Sequence, residues 1–288
     1  MTLISADDLD RRLGAADDLT RVVDVRWYLL RPGAGRAAYD AGHIPGAVFA
    51  DLDRDLADAN GLGAPGRHPL PDPETFRRWL SAAGIGTHHF VVAYDDAAGT
   101  VPARLWWMLD NLRHRGGVAL LDGGLAAWTA AGGLLETAAP RYPAAELDLA
   151  DSWTNVIERR DLAGRLGSVT LLDARAPERY RGEVEPIDPL AGHIPTAMSA
   201  PAADNVAGDG RFLASTELRA HYSKYSDGLP VVSYCGSGAT ACHNSLAMRI
   251  AGLPDPILYV GSFSDWSRQG MPVVAGAEPV PAAERRDG

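Results

Sequence analysis

Internal repetition is the feature that most constrains what this chain can fold into. Val23-Asp24-Val25-Arg26 recurs as Leu172-Asp173-Ala174-Arg175, and Ala41-Gly42-His43-Ile44-Pro45 recurs as Ala191-Gly192-His193-Ile194-Pro195. Val91-Val92-Ala93-Tyr94 returns as Val231-Val232-Ser233-Tyr234. Gly123-Gly124-Leu125-Ala126-Ala127-Trp128 returns, more loosely, as Gly261-Ser262-Phe263-Ser264-Asp265-Trp266. The blocks keep the same order, so the chain reads as two tandem copies of one domain. The copies are predicted over residues 1–137 and 153–288. Residues 138–152, with Pro140, Pro143 and little periodic pattern, read as the linker.

Each copy alternates short β-rich apolar runs with helical stretches. The runs are Val22–Val25, Phe90–Tyr94 and Val118–Leu121 in the first copy, and Val169–Leu172, Val231–Tyr234 and Ile257–Val260 in the second. Helical patterns lie between them, as at Pro73–Ala83, Ala103–Arg113, Thr216–Tyr222 and Thr240–Ala251. Ser5 followed three residues later by Asp8 reads as a helix start. This alternation predicts an α/β fold, with a central parallel sheet and helices on both faces of each copy. Ligands of such folds bind where strands end and helices begin.

Composition narrows the class. The formal net charge of -10 argues against unaided nucleic-acid binding. No apolar run is long enough to suggest a membrane span, and Met1–Leu9 lacks the pattern of a signal peptide. Two cysteines are too few for a disulfide framework. The expectation is a cytoplasmic enzyme with free thiols.

The most informative segment runs from Val231 to Cys242. A buried strand delivers Cys235 to its C-terminal end, a loop of small residues follows, and a helix starts near Thr240. Gly236 and Gly238 permit positive φ, so the loop can curl and aim its N–H groups inward as an anion nest. The helix N-terminus adds a positive end. Such a loop favours an anionic, nucleophilic sulfur at Cys235 and would also hold a persulfide. The alternative is a small buried cysteine without chemistry. For Cys242, further along the helix, the structural reading leads, with a redox role as the lesser one. A cysteine phosphatase is disfavoured, because Ala241 stands where that chemistry places an arginine.

At this point the chain resembles the tandem-domain rhodaneses, over nearly its whole length. The Gly-His-Ile-Pro segments at His43 and His193 and the Gly-Gly-x-x-x-Trp segment at Trp128 carry the resemblance. The loop Cys235-Gly236-Ser237-Gly238-Ala239-Thr240 resembles that of the family's 3-mercaptopyruvate branch. The resemblance implies a sulfurtransferase in which Cys235 takes sulfur from a small-molecule donor as a persulfide. A thiol, thioredoxin or cyanide then accepts it, and no metal or organic cofactor is required. It implies that only the second copy is catalytic, since Asp95 stands in the first copy where Cys235 stands in the second. It implies roles for Ser237 with His43 as a proton-transfer pair and for Arg179, with Arg181 as a possible second, on the donor's anionic end. Gly236, Gly238, Ala239 and Thr240 would line the substrate. His43 reads equally as a structural histidine, and Thr240 as a helix cap. A second arginine that the 3-mercaptopyruvate branch carries after a Glu-Pro pair is absent from Glu185-Pro186-Ile187-Asp188-Pro189, where Asp188 takes that position. The loop therefore favours 3-mercaptopyruvate and the missing arginine favours thiosulfate, while a persulfide carrier with a protein donor remains a third reading. Asp24/Arg26 and Asp173/Arg175 are expected to be structural ion pairs.

Overall fold

The computed structural model describes residues 2–15, 18–58, 66–225 and 228–277. The chain divides into two compact units. Within the described residues, the first consists of residues up to 58, Leu70–Thr154 and Val206–Leu213. The second consists of residues 66–69, Asn155–Asn205 and those from Ala214 on. The units are therefore not a simple cut of the sequence. A short strap inside the first repeat belongs to the second unit, and a short segment of the second repeat belongs to the first.

The first unit runs β1 (Leu3–Ile4), α1 (Ala6–Leu13), β2 (Thr20–Asp24), α2 (Ala34–Ala41), β3 (Val48–Phe49), α3 (Pro73–Ala82), β4 (Phe90–Tyr94), α4 (Pro102–Asn111), β5 (Val118–Leu121) and α5 (Gly124–Ala130). Its sheet has the order β1-β5-β4-β2-β3, and every pairing is parallel. β4 and β5 are buried nearly throughout, which is why their sequences are continuous apolar runs. The helices start where the sequence supplies caps. The Ser5 hydroxyl accepts from the Asp8 amide at 3.1 Å. The Asp72 carboxylate accepts from the Glu74 amide at 3.0 Å, with Pro73 at the first helical position.

The second unit runs α6 (Arg159–Gly164), β6 (Thr170–Asp173), α7 (Pro177–Arg181), β7 (Met198–Ser199), a 3₁₀ turn (Ala202–Asn205), α8 (Ser215–Ser223), β8 (Val231–Tyr234), α9 (Ala241–Ile250), β9 (Ile257–Leu258) and α10 (Ser262–Arg268). The strand order β7-β6-β8-β9 repeats that of β3-β2-β4-β5, again all parallel. Val156 bridges to Leu258 in parallel, standing where β1 stands beside β5. Each unit is thus a parallel sheet flanked by helices, as the alternating pattern predicts. No described helix is long and apolar enough to cross a membrane.

The repeated residues perform the same tasks twice. Asp24 and Arg26 form a buried ion pair at 2.6 Å, and the Arg26 guanidinium donates to the Gly42 carbonyl at 2.7 Å. Asp173 and Arg175 pair at 2.6 Å, and Arg175 donates to the Gly192 carbonyl at 2.6 Å. His43 stacks on Tyr39 with ring centroids 3.9 Å apart, as His193 stacks on Tyr180 at 3.8 Å. The Trp128 indole donates to the Leu134 carbonyl, as that of Trp266 does to the Pro272 carbonyl. The ion pairs are structural, as expected: each ties the end of a strand to the loop that leads into its neighbour.

Both members of the Asp24–Arg26 pair are buried, so removing one strands the other's charge. Arg26→Ala is expected to cost about 3–5 kcal/mol in urea unfolding, and Asp24→Ala combined with Arg26→Ala much less than the sum of the two single changes. Additive losses would show that the pair does not act as a unit.

Candidate active site

β8 is a short, β-branched strand buried at the centre of the second sheet, and the residue that follows it is Cys235. The chain then turns through Gly236, Ser237, Gly238, Ala239 and Thr240 into α9. Gly238 has φ +84°, and a β-carbon there would come within 2.5 Å of the Val260 carbonyl oxygen. Both facts demand glycine at this position. The loop is pinned from behind by the turn into α10. The Phe263 amide donates to the Cys235 carbonyl at 3.0 Å and the Ser264 amide to the Gly236 carbonyl at 2.9 Å. The Cys235 amide donates to the Ser262 hydroxyl at 3.2 Å.

The Cys235 side chain is buried, with 2% of the residue exposed. Its Sγ accepts from the Gly238 amide at 3.1 Å; of the two glycines expected to curl the loop, Gly238 takes positive φ and Gly236 does not. The Cys242 thiol is buried and reaches the Gly238 carbonyl at 3.4 Å. Ala239 is buried in the same loop. Thr240 heads α9, but its side chain makes no capping hydrogen bond, which corrects the expectation of a cap.

Ser237 has a histidine partner, and it is not the expected one. The Ser237 hydroxyl lies 2.7 Å from Nδ1 of His68, a residue 169 positions earlier that belongs to the second unit through the strap. The strap is fixed by the Arg67 amide, which donates to the Ser264 hydroxyl at 3.0 Å. Gly66 adds a close approach, since a β-carbon on it would lie 2.7 Å from the Gly261 carbonyl oxygen. His43 is held elsewhere. It sits in the first unit, stacked on Tyr39, with Nδ1 2.9 Å from the Tyr39 carbonyl oxygen. His193 repeats that arrangement through Tyr180 at 2.8 Å. The expected pairing of Ser237 with His43 is therefore corrected to Ser237 with His68, while the His43 ring packs as that of His193 does.

Arg179 lies beside the loop. A β-carbon on Gly236 would fall 3.4 Å from Arg179 Nη1 and 2.8 Å from Arg67 Nη2. Glycine at 236 is what allows two guanidiniums to approach the backbone next to Cys235. Arg179 donates to Glu185 at 2.7 Å and to Asp188 at 3.3 Å, and the other oxygen of Asp188 pairs with Arg67. A second arginine therefore does stand beside Arg179, but it comes from the strap, and Asp188 is its partner. Burial would raise the Glu185 carboxyl. Hydrogen bonds from Arg179 and from the Asp188 and Ile187 amides outweigh burial and hold it below the ordinary carboxylate range. Arg181 stands outside this network, paired with Glu183 at 2.7 Å on the surface.

Arg67 and His68 escaped the sequence analysis because the strap and the segment at the same place in the second repeat, Val206–Leu213 between β7 and α8, share only the dipeptide Gly-Arg (66–67 and 210–211), too short to stand out. The available signal was the long aperiodic stretch between β3 and α3, since long irregular segments in compact domains are often functional.

The first unit carries the same loop with different chemistry. Asp95 follows β4 as Cys235 follows β8, and its carbonyl accepts from the Leu125 amide at 2.8 Å. Its carboxylate is cradled by the amides of Ala97 (3.0 Å), Gly99 (2.8 Å) and Val101 (3.3 Å). Complete burial outweighs these three donors and pushes the carboxyl up to about 6. The folded state then holds this proton more tightly than the unfolded chain. The resulting stability is fully present below the ordinary value of 3.8 and is lost as pH rises through about 6. The stability of the wild type minus that of Asp95→Asn should fall across this window by up to ~1.4 kcal/mol per pH unit and level off above it. A pH-independent difference in urea unfolding would overturn this.

A model of the Rhodanese-like domain matches residues 5–131 and 158–269. The chain is 47% identical over 269 residues to a probable 3-mercaptopyruvate sulfurtransferase of Pseudomonas aeruginosa, covering 92% of this chain and 94% of the relative. It is 40% identical over 270 residues to a putative thiosulfate sulfurtransferase, SseB, of Mycobacterium tuberculosis, covering 92% and 93%. Among solved structures, 3-mercaptopyruvate sulfurtransferase from Leishmania major superposes with a TM-score of 0.81 at 28% identity, covering 93% of this chain and 74% of that one.

Proposed function

The chain belongs to the rhodanese-like domain family and is a sulfurtransferase, and from that premise we propose that it takes sulfur from 3-mercaptopyruvate through a persulfide on Cys235. The observation that carries this reading is the hydroxyl–imidazole pair of Ser237 and His68 at 2.7 Å, on the same loop as the nucleophile. A 2-oxo acid donor needs such a pair. Its leaving group is an enolate that must be stabilised at oxygen and protonated at carbon. Thiosulfate releases sulfite, which needs neither.

The proposed reaction has two halves. The Cys235 thiolate attacks the donor sulfur, an S–S bond forms and the donor's C–S bond breaks. The bonding pair passes into the enolate of pyruvate. The proton of the donor's S–H is relayed through Ser237 and His68 to the departing carbon. Cys235 persulfide anion and pyruvate result, with charge and hydrogen balanced. Arg179 and Arg67, next to Gly236, suit the donor's carboxylate. In the second half an acceptor thiolate or cyanide attacks the outer sulfur, the S–S bond breaks and the Cys235 thiolate returns. Small thiols, thioredoxin and cyanide all fit this step.

A second reading is thiosulfate as donor, favoured by the likeness to SseB of Mycobacterium tuberculosis. The two readings part at His68. With cyanide as acceptor, Cys235→Ser should abolish transfer from both donors and remove the extra sulfur seen on the intact protein by mass spectrometry. His68→Ala should lower kcat for 3-mercaptopyruvate by about 10²–10⁴-fold and leave thiosulfate turnover nearly intact. Equal losses with both donors would remove the proton-transfer role and, with it, the ground for preferring the 2-oxo acid.

A further inference from the structure

The two guanidiniums beside Gly236 are not free charges. Asp188, whose side chain is completely buried, binds Arg67 through Nη1 and Arg179 through Nη2. The other terminal nitrogen of each, Arg67 Nη2 and Arg179 Nη1, is the one that comes nearest Gly236, 2.8 and 3.4 Å from where its β-carbon would stand, with Arg179 Nη2 at 3.8 Å. Asp188 therefore orients one edge of each guanidinium towards the loop while cancelling part of their charge. Behind it, Glu185 pairs with Arg179 and also reaches Arg175, and Asp173 pairs with Arg175. The assembly holds three arginines (67, 175, 179) and three carboxylates (173, 185, 188), so three positive and three negative charges sum to zero.

A neutral assembly rich in oriented N–H donors treats anions differently from a positive one. Hydrogen bonds from guanidinium edges reward a planar pair of oxygens whatever the net charge. A second negative charge on the ligand gains no net countercharge, and in a partly buried site that deficit is poorly screened. We propose that Asp188 is a specificity-determining residue that sets the charge of the donor: it tunes the site to a monoanion and against a dianion. The monocarboxylate of 3-mercaptopyruvate, with its thiol protonated, meets that condition. Thiosulfate and sulfate do not. The inference rests on the reading that the donor's anionic end lies against Arg67 and Arg179.

Asp188→Asn keeps the size and one acceptor and adds one unit of positive charge. The kcat/KM ratio of 3-mercaptopyruvate to thiosulfate should fall by about tenfold or more, as expected for one uncompensated charge at short range. The double variant Arg67→Gln with Asp188→Asn restores the charge sum and should move the ratio back towards wild type, even if both rates are low. A structural role alone would lower both donors together and leave the ratio fixed, and that result overturns the proposal. A second readout needs neither turnover nor a variant. In the wild type, protection of Cys235 from alkylation by iodoacetamide should be stronger with pyruvate than with sulfate at equal ionic strength. Equal or stronger protection by sulfate overturns the charge preference. If neither small donor is turned over, the donor reading falls, while the protection experiment still decides the preference for a monoanion.

Discussion

The second unit is organised along a file of alternating charges. It begins at Asp173 where β6 ends and passes through Arg175, Glu185, Arg179 and Asp188 to Arg67 on the strap. Each interior member has an opposite charge on both sides. Desolvation makes any one of these groups costly alone, and only the continuous file compensates it. The file joins three stretches of chain that no strand pairing connects: the end of the sheet, the segment after α7 and the strap. Its last member stands one residue from His68. The place of the imidazole beside Ser237 thus depends on a run of ion pairs that starts at the sheet.

The two units separate scaffold from chemistry by what they share. Both have the Asp–Arg pair, the histidine stacked on a tyrosine and the tryptophan that donates to a distal carbonyl. Both have a loop at the end of the central strand whose carbonyl is caught by a helix-leading amide. They differ in what the loop holds. In the first unit three amides hold a carboxylate that belongs to the chain. In the second an amide of the loop meets a thiol. The same turn is satisfied by an internal anion in one case and presents a reactive atom in the other.

Much of this was legible in the sequence. Buried strands announce themselves as β-branched runs, and Phe90–Tyr94, Val118–Leu121 and Val231–Tyr234 lie where those runs place them. Cys235 was legible because glycines around a strand end have few other uses. The two-residue strands β1, β3 and β7 were not, since two residues carry no period. Trp107 is buried and stacks on Trp153 at 6.0 Å within the first unit, a contact that no local pattern records. His43 misled because it sits in a conspicuous motif, and its duplicate at His193 was the better guide to its task. Arg67 and His68 were invisible for a physical reason. Their partners, Asp188, Ser264 and Ser237, are more than a hundred residues away, and local pattern holds no record of such contacts.

That separation bears on how the molecule assembles. The strap leaves the ribosome long before Ser237 is synthesised, and most of the chain must be made before His68 can meet its hydroxyl. Closing so large a loop is entropically expensive and slow, so the hydrogen bond between them belongs to a late event in folding. A nascent chain could complete the first sheet and still possess only half of the apparatus that the second sheet will need.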